Sequence, residues 1–249
     1  MLEVDDKVPF TEHLEELRHR LIVCFVAVGI GFAVCYAFKE RLFEFLAAPL
    51  IGAMQEGDKL VFTGLPEAFF TYLKIAFLAG CVLASPVIIY QFWMFVAPGL
   101  YRRERRVLGP IVGLSILFFV GGGVFGYLVV FPLGFQFFLS FATETIRPLP
   151  AMKEYLGFAT KLLIAFGLAF ELPLVITFMA RLGLVSVDFL KKNRRYALLL
   201  FFVAAAILTP PDVVSQILMA LPLMLLYELS IIGARVFGRK PLDDPDAAR

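Results

Sequence analysis

Long runs of apolar positions, broken by short polar or Pro/Gly-rich stretches, dominate this chain. Residues 21–38, 68–96, 107–132, 155–180, 196–208 and 213–229 form six such runs, and most are long enough to cross a hydrocarbon core of about 30 Å as a helix. Ahead of the first, residues 9–21 place Phe10, Leu14, Leu17 and Leu21 on one helical face and Glu12, Glu16 and Arg20 on another, with Thr11 as N-cap. This pattern predicts an amphipathic helix at the membrane surface that turns into the first span. Glu16 and Arg20 stand one helical turn apart, so the simplest reading of both is a local ion pair worth about 0.2–0.5 kcal/mol. The short alternating segments of a transmembrane barrel are absent. The fold class is therefore all-α, a polytopic membrane protein whose backbone satisfies its own hydrogen bonds.

The breakers between and within the runs sharpen this picture. Residues 39–67 leave the hydrocarbon as a structured cap in which Pro49 is expected to end a short helix. Pro86 predicts a kink in the second span, and Pro110 and Pro132 divide the third into a membrane part and an extension. Gly122 and Gly126 have the small-xxx-small spacing that admits another helix at close range. Residues 196–208 make only about 20 Å of helix, so with 213–229 they read as a pair of short spans that thin the bilayer, with a re-entrant hairpin as the competing reading.

Composition and charge agree. With 60% hydrophobic residues the chain exceeds the apolar share of soluble domains, and residues 1–237 read as one six-helix domain followed by a polar cytoplasmic tail, 238–249. Lys7, Arg18, Arg20, the basic loops at 102–106 and 191–195 and the tail fall on one side, leaving only Lys39, Arg41, Lys59, Arg147 and Lys153 on the other. By the positive-inside rule both termini are cytoplasmic, and Glu16 and Glu104 share that face. The acidic N-terminus does not resemble a cleaved secretory signal. Cys24, Cys35 and Cys81 lack metal or redox spacing, His13 and His19 lack a third ligand, and no nucleophile elbow or phosphate-cradling loop occurs. No metal, cofactor, enzymatic activity or nucleic-acid partner is expected.

A few polar residues stand out against this background. Glu104 is a single acid among Arg102, Arg103, Arg105 and Arg106, directly after the apolar, aromatic stretch that begins at Ser85. Glu171 lies in the middle of the fourth span, where a carboxylate costs about 2.5 kcal/mol or more unless paired, hydrated or protonated; Pro173 frees the carbonyl of Ala169 and bends or hydrates the helix there. Asp212 reads as an N-cap, with Gln216 one turn on. Glu228, at the cytoplasmic end of the last span, reads as solvated at the interface.

Four segments, HLEELRHRL at His13–Leu21, SPVIIYQFWMFVAPGLYRRERR at Ser85–Arg106, AFGLAFELPLV at Ala165–Val175 and LTPPDVVSQILMALPLMLLYE at Leu208–Glu228, together resemble the TatC family of the twin-arginine translocation system. The resemblance covers about Pro9 to Phe237. It implies a six-helix, glove-like bundle with a concave face in the bacterial cytoplasmic (inner) membrane, exporting folded proteins with the proton-motive force. It implies that Glu16 and Glu104 bind the paired arginines of cargo signal peptides, with Phe95 beside them. It implies that Glu171 contacts single-span TatA/TatB-type partners, and that Pro49, Asp212 and Gln216 have structural or partner-related roles; self-association is compatible with it. A proton- or ion-coupled transporter using Glu171 as its midplane site is the alternative, though no repeat relates the two halves; a structural scaffold is a third reading.

Overall fold

The computed structural model describes residues 10–55, 58, 60–96, 108–143, 145, 148–209 and 212–238, most of them helical. In chain order the helices are α1 Phe10–Ala37, α2 Lys39–Ile51, α3 Glu67–Val96, α4 Leu108–Phe125, α5 Phe131–Leu139, α6 Met152–Phe170, α7 Leu172–Arg181, α8 Val187–Lys192, α9 Arg194–Leu208 and α10 Val213–Phe237. Among the described residues, the β-type pairing is confined to an isolated parallel bridge between Val61 and Ala151. The protein is all-α. Leu14–Ala37, Glu67–Val96, Gly109–Leu139, Met152–Arg181 and Val213–Phe237 are long and apolar enough to cross a membrane. The 15 residues of α9 reach only about 22 Å, the short penultimate helix that the hydropathy pattern implies.

Several boundaries depart from that pattern. The amphipathic stretch does not turn into the first span; α1 runs unbroken for 28 residues, because no Gly or Pro lies between Phe10 and Val28. Pro49 does not end α2, which continues to Ile51. At its far end α10 continues past Leu229 to Phe237, with Ser230, Ile231 and Ala234 buried. Between α4 and α5 the chain forms a π-helical turn, Gly126–Val130, in which the Phe131 N–H reaches back to the Gly126 carbonyl. Pro132 follows directly and has no N–H to give, so the helix widens rather than stops.

Contacts sort the chain into two units, Met1–Phe43 with Tyr72–Ile116, and Glu44–Thr71 with Leu117–Arg249. In the first, α1 and α3 touch backbone to backbone: a Cβ on Gly31 would stand 2.6 Å from the Gly80 carbonyl oxygen, and one on Gly80 2.6 Å from the Phe32 nitrogen. Trp93 on α3 is buried and donates to Ser115 Oγ on α4 at 2.8 Å. In the second unit, Gly122 leaves no room for a Cβ against the Phe166 carbonyl, and a Cβ on Gly126 would lie 3.4 Å from the Phe166 ring. The small-xxx-small pair therefore packs a helix, as its spacing implies.

Also in the second unit, Pro49 has a partner the sequence does not reveal. A proline at this position leaves the Phe45 carbonyl without its helical donor. Tyr127 supplies one, its hydroxyl donating to Phe45 O at 2.6 Å while the two rings stack 4.8 Å apart. The Tyr155 hydroxyl donates to the neighbouring Leu46 carbonyl. Tyr127→Phe should cost about 0.5–1.5 kcal/mol of stability. Pro49→Ala, which restores an N–H to Phe45 O, should recover most of that loss in the double variant. Thermal melts in detergent of the four proteins in this cycle test the link, and equal losses with and without Pro49 would sink it.

Candidate functional site

The N-terminal half of α1 carries the first candidate acid. Arg20 donates from Nε and Nη2 to Glu16 Oε1, at 3.1 and 2.5 Å, and from Nη1 to Gln91 Oε1 on α3 at 2.9 Å. The i,i+4 pair read from the sequence is present, and the side chains are 17% (Arg20) and 30% (Glu16) exposed. Gln91 is what ties the pair to a second helix. Its register follows from the glycine crossing: residues 31 to 20 and 80 to 91 are the same distance along α1 and α3 in opposite directions. Eleven residues make close to three turns, so each helix presents one face to both contacts and the two run antiparallel. Phe95, half-buried, lies one turn beyond Gln91 toward the end of α3 at Val96. Within this unit the fold thus brings Glu16, Arg20, Gln91 and the Phe95 end of α3 together. Glu104 and its four arginines lie outside the described residues, as does the tail beyond Gly238.

The remaining candidates belong to the second unit. Glu171 is the junction between α6 and α7: its N–H bonds the Leu168 carbonyl at 3.1 Å, an i→i−3 turn, and its carbonyl accepts from the Val175 N–H at 2.9 Å. Pro173 at the start of α7 cannot supply the Ala169 carbonyl, which explains the break. The side chain is half-buried, with Oε1 shielded from solvent. Asp212 caps α10 as expected, Oδ1 accepting from the Ser215 N–H at 2.7 Å. Its Oδ2 and the Ser215 hydroxyl are buried without a hydrogen-bond partner among the described residues. Gln216 follows, half-buried, in the same turn. Glu228 is more than a solvated acid, since it accepts from Arg194 at 2.7 Å; with side chains 48% and 41% exposed, that pair is worth about 0–1 kcal/mol.

Residues 12–222 match the family model described as Sec-independent protein translocase protein (TatC). The chain belongs to the TatC family. It is 65% identical over 248 residues to the Sec-independent protein translocase protein TatC of Desulforapulum autotrophicum, covering 100% of this chain and 92% of that protein. Identity to the TatC of Escherichia coli strain K12 is 38% over 239 residues, covering 96% and 93%. A crystal structure titled as the twin arginine translocase receptor TatC superposes with a TM-score of 0.83 at 40% identity, covering 92% of this chain and all of that one. The chain is therefore a membrane protein of a protein translocase family, which disfavours the coupled-transporter reading.

Glu16, Pro49, Phe95, Glu104, Glu171, Asp212 and Gln216 all fall inside the TatC-matched region, and Glu228 lies just beyond it. Two others escaped that reading. Gln91 sits in the same segment as Phe95, and the i,i+4 spacing of an amide and an aromatic was the available signal. Glu67 collects four hydrogen bonds, from the Thr63 N–H and hydroxyl, the Gly64 N–H and the Lys153 N–H. Only the local part of that set, from Thr63 and Gly64, lies close enough in the chain to be read without a structure.

Proposed function

We propose that this chain is the receptor component of a twin-arginine translocase, binding the paired arginines of cargo signal peptides through Glu16 and Glu104 beside Phe95. This face is cytoplasmic, both termini lie there, and the membrane is the bacterial inner membrane; folded cargo is exported at the expense of the proton-motive force. The observation that carries the reading is that Glu16 already engages a guanidinium through two N–H groups, near the end of α3 that carries Phe95 and Val96. Guanidinium pairs with carboxylate in a directional fork, whereas lysine acts as a hydrated point charge. TatA/TatB-type single-span helices are assigned to Glu171 and to the α9–α10 end. There Asp212, the N-cap of α10, and the half-buried Gln216 one turn on are the polar positions assigned to partner contact, with Pro49 as a structural element.

Binding of a labelled twin-arginine signal peptide to the purified protein in detergent tests the site. A hydrogen bond to a charged group contributes about 1.5–3 kcal/mol, so Glu16→Ala and Glu104→Ala should each weaken binding about tenfold or more, and twin-lysine peptide should mimic the loss. Unchanged affinity in both variants would overturn the assignment.

A further inference from the structure

We propose that Arg20 is a resident competitor: its guanidinium pairs with Glu16, is displaced by a cargo arginine, and is then retained on Gln91. The inference rests on the proposed role of Glu16 and adds a regulatory contact to that site. Three features of the geometry carry it.

First, the group on Glu16 is an internal guanidinium, with the same chemistry as the proposed ligand. Second, Arg20 directs both Nε and Nη2 to a single oxygen, Oε1. A fork that engages two carboxylate oxygens in parallel is the stronger arrangement, so the Arg20 pair on one oxygen is the weaker, displaceable kind. Third, the Nη1 bond to Gln91 Oε1 comes from a different helix and does not depend on Glu16. When cargo takes the carboxylate, Arg20 remains hydrogen-bonded rather than leaving a partly buried guanidinium unmatched, which would be costly. The neutral amide suits this task, since a second carboxylate at that position would hold Arg20 too tightly and also attract cargo.

The consequence is an affinity set by exchange. Displacing Arg20 subtracts the same free energy from every cationic ligand, so ligands that pair weakly with Glu16 fall below useful occupancy while twin arginines stay above it. Because the competitor is tethered within reach, it also re-enters whenever cargo contacts loosen, and so speeds release.

The test is peptide affinity and dissociation rate, with twin-arginine and twin-lysine signal peptides on the full chain. Arg20→Gln should tighten both peptides by a common factor of about two- to fivefold, chiefly by slowing dissociation. Arg20→Lys, which keeps the charge and loses the fork, should tighten binding to a smaller extent. Gln91→Leu, which removes the landing site, should weaken binding when Arg20 is present and have no effect in the Arg20→Gln background. Weaker or unchanged binding in Arg20→Gln, with Glu16→Ala still defective, would show that Arg20 only positions Glu16 and would leave the proposed function standing. Arg20→Lys binding like the wild type would reduce the effect to net charge and overturn the exchange. Normal binding by Glu16→Ala would remove the proposed function and this inference together.

Discussion

Gly80→Leu should detach α1 from α3 and abolish the Arg20–Gln91 contact about 16 Å away along the helices. A Cβ at residue 80 would stand 2.6 Å from the Phe32 nitrogen, 2.8 Å from its Cα and 2.9 Å from the Gly31 carbonyl carbon. These are backbone atoms, which no rotamer change can move aside, so the helices must separate. Overpacking of this kind costs about 1–3 kcal/mol or more, and α1 has little with which to offset it. Only 6% of its spanning window is buried, and in lipid close packing takes the place of a hydrophobic drive between helices. The measurements are peptide binding and the melting temperature in detergent. Binding should fall at least as far as in Gln91→Leu, because the register that sets Gln91 beside Arg20 is the one that the crossing fixes. Gly29→Leu, on α1 two residues before the crossing, supplies the control: a Cβ there meets nothing within 4 Å, so it should bind and melt like the wild type. Wild-type binding by Gly80→Leu would show that the site does not depend on the crossing.

What could be read from the sequence was whatever is encoded locally. Apolar runs gave the helices, the Glu16–Arg20 spacing gave their ion pair, Asp212 gave its cap, and Gly122 with Gly126 gave a packing face. Each depends on residues within a turn or two of one another. The contacts that escaped join distant parts of the chain: Tyr127 to the carbonyl that Pro49 vacates, Gln91 to Arg20, Arg194 to Glu228 and Glu67 to Lys153. A proline announces that a carbonyl has lost its donor, yet nothing nearby says which side chain will replace it. Gly31 and Gly80 carried no signal either, since a single glycine in an apolar run is equally compatible with open space, as at Gly29, or with backbone contact. The candidate site was legible as a set of residue types through the four family segments, whereas the exchange partner Gln91 required the register of two antiparallel helices.

Glu67→Ala should loosen two connections at once, the stretch that leads into α3 and the start of α6. Oε2 accepts from the Thr63 N–H at 2.8 Å, the Thr63 hydroxyl at 3.1 Å and the Gly64 N–H at 3.2 Å, while Oε1 accepts from the Lys153 N–H at 3.0 Å. Ala151 is the N-cap of α6 and offers no side-chain acceptor, so Glu67 caps that helix from another part of the chain and places an anion at its positive end. The adjacent bridge, with Val61 N–H on Pro150 O at 3.1 Å and Met152 N–H on Val61 O at 2.9 Å, completes a clasp between the same two segments. Glutamine is no full substitute, because its amide can accept on one atom only and would turn an N–H toward a donor on the other. Hydrogen exchange should therefore speed up at Thr63, Gly64 and Lys153 most in Glu67→Ala, and to an intermediate degree in Glu67→Gln. The bridge amides of Val61 and Met152 should follow, since the clasp holds them in register. Unchanged protection at Lys153 would show that water caps α6 and that Glu67 is only a surface acid.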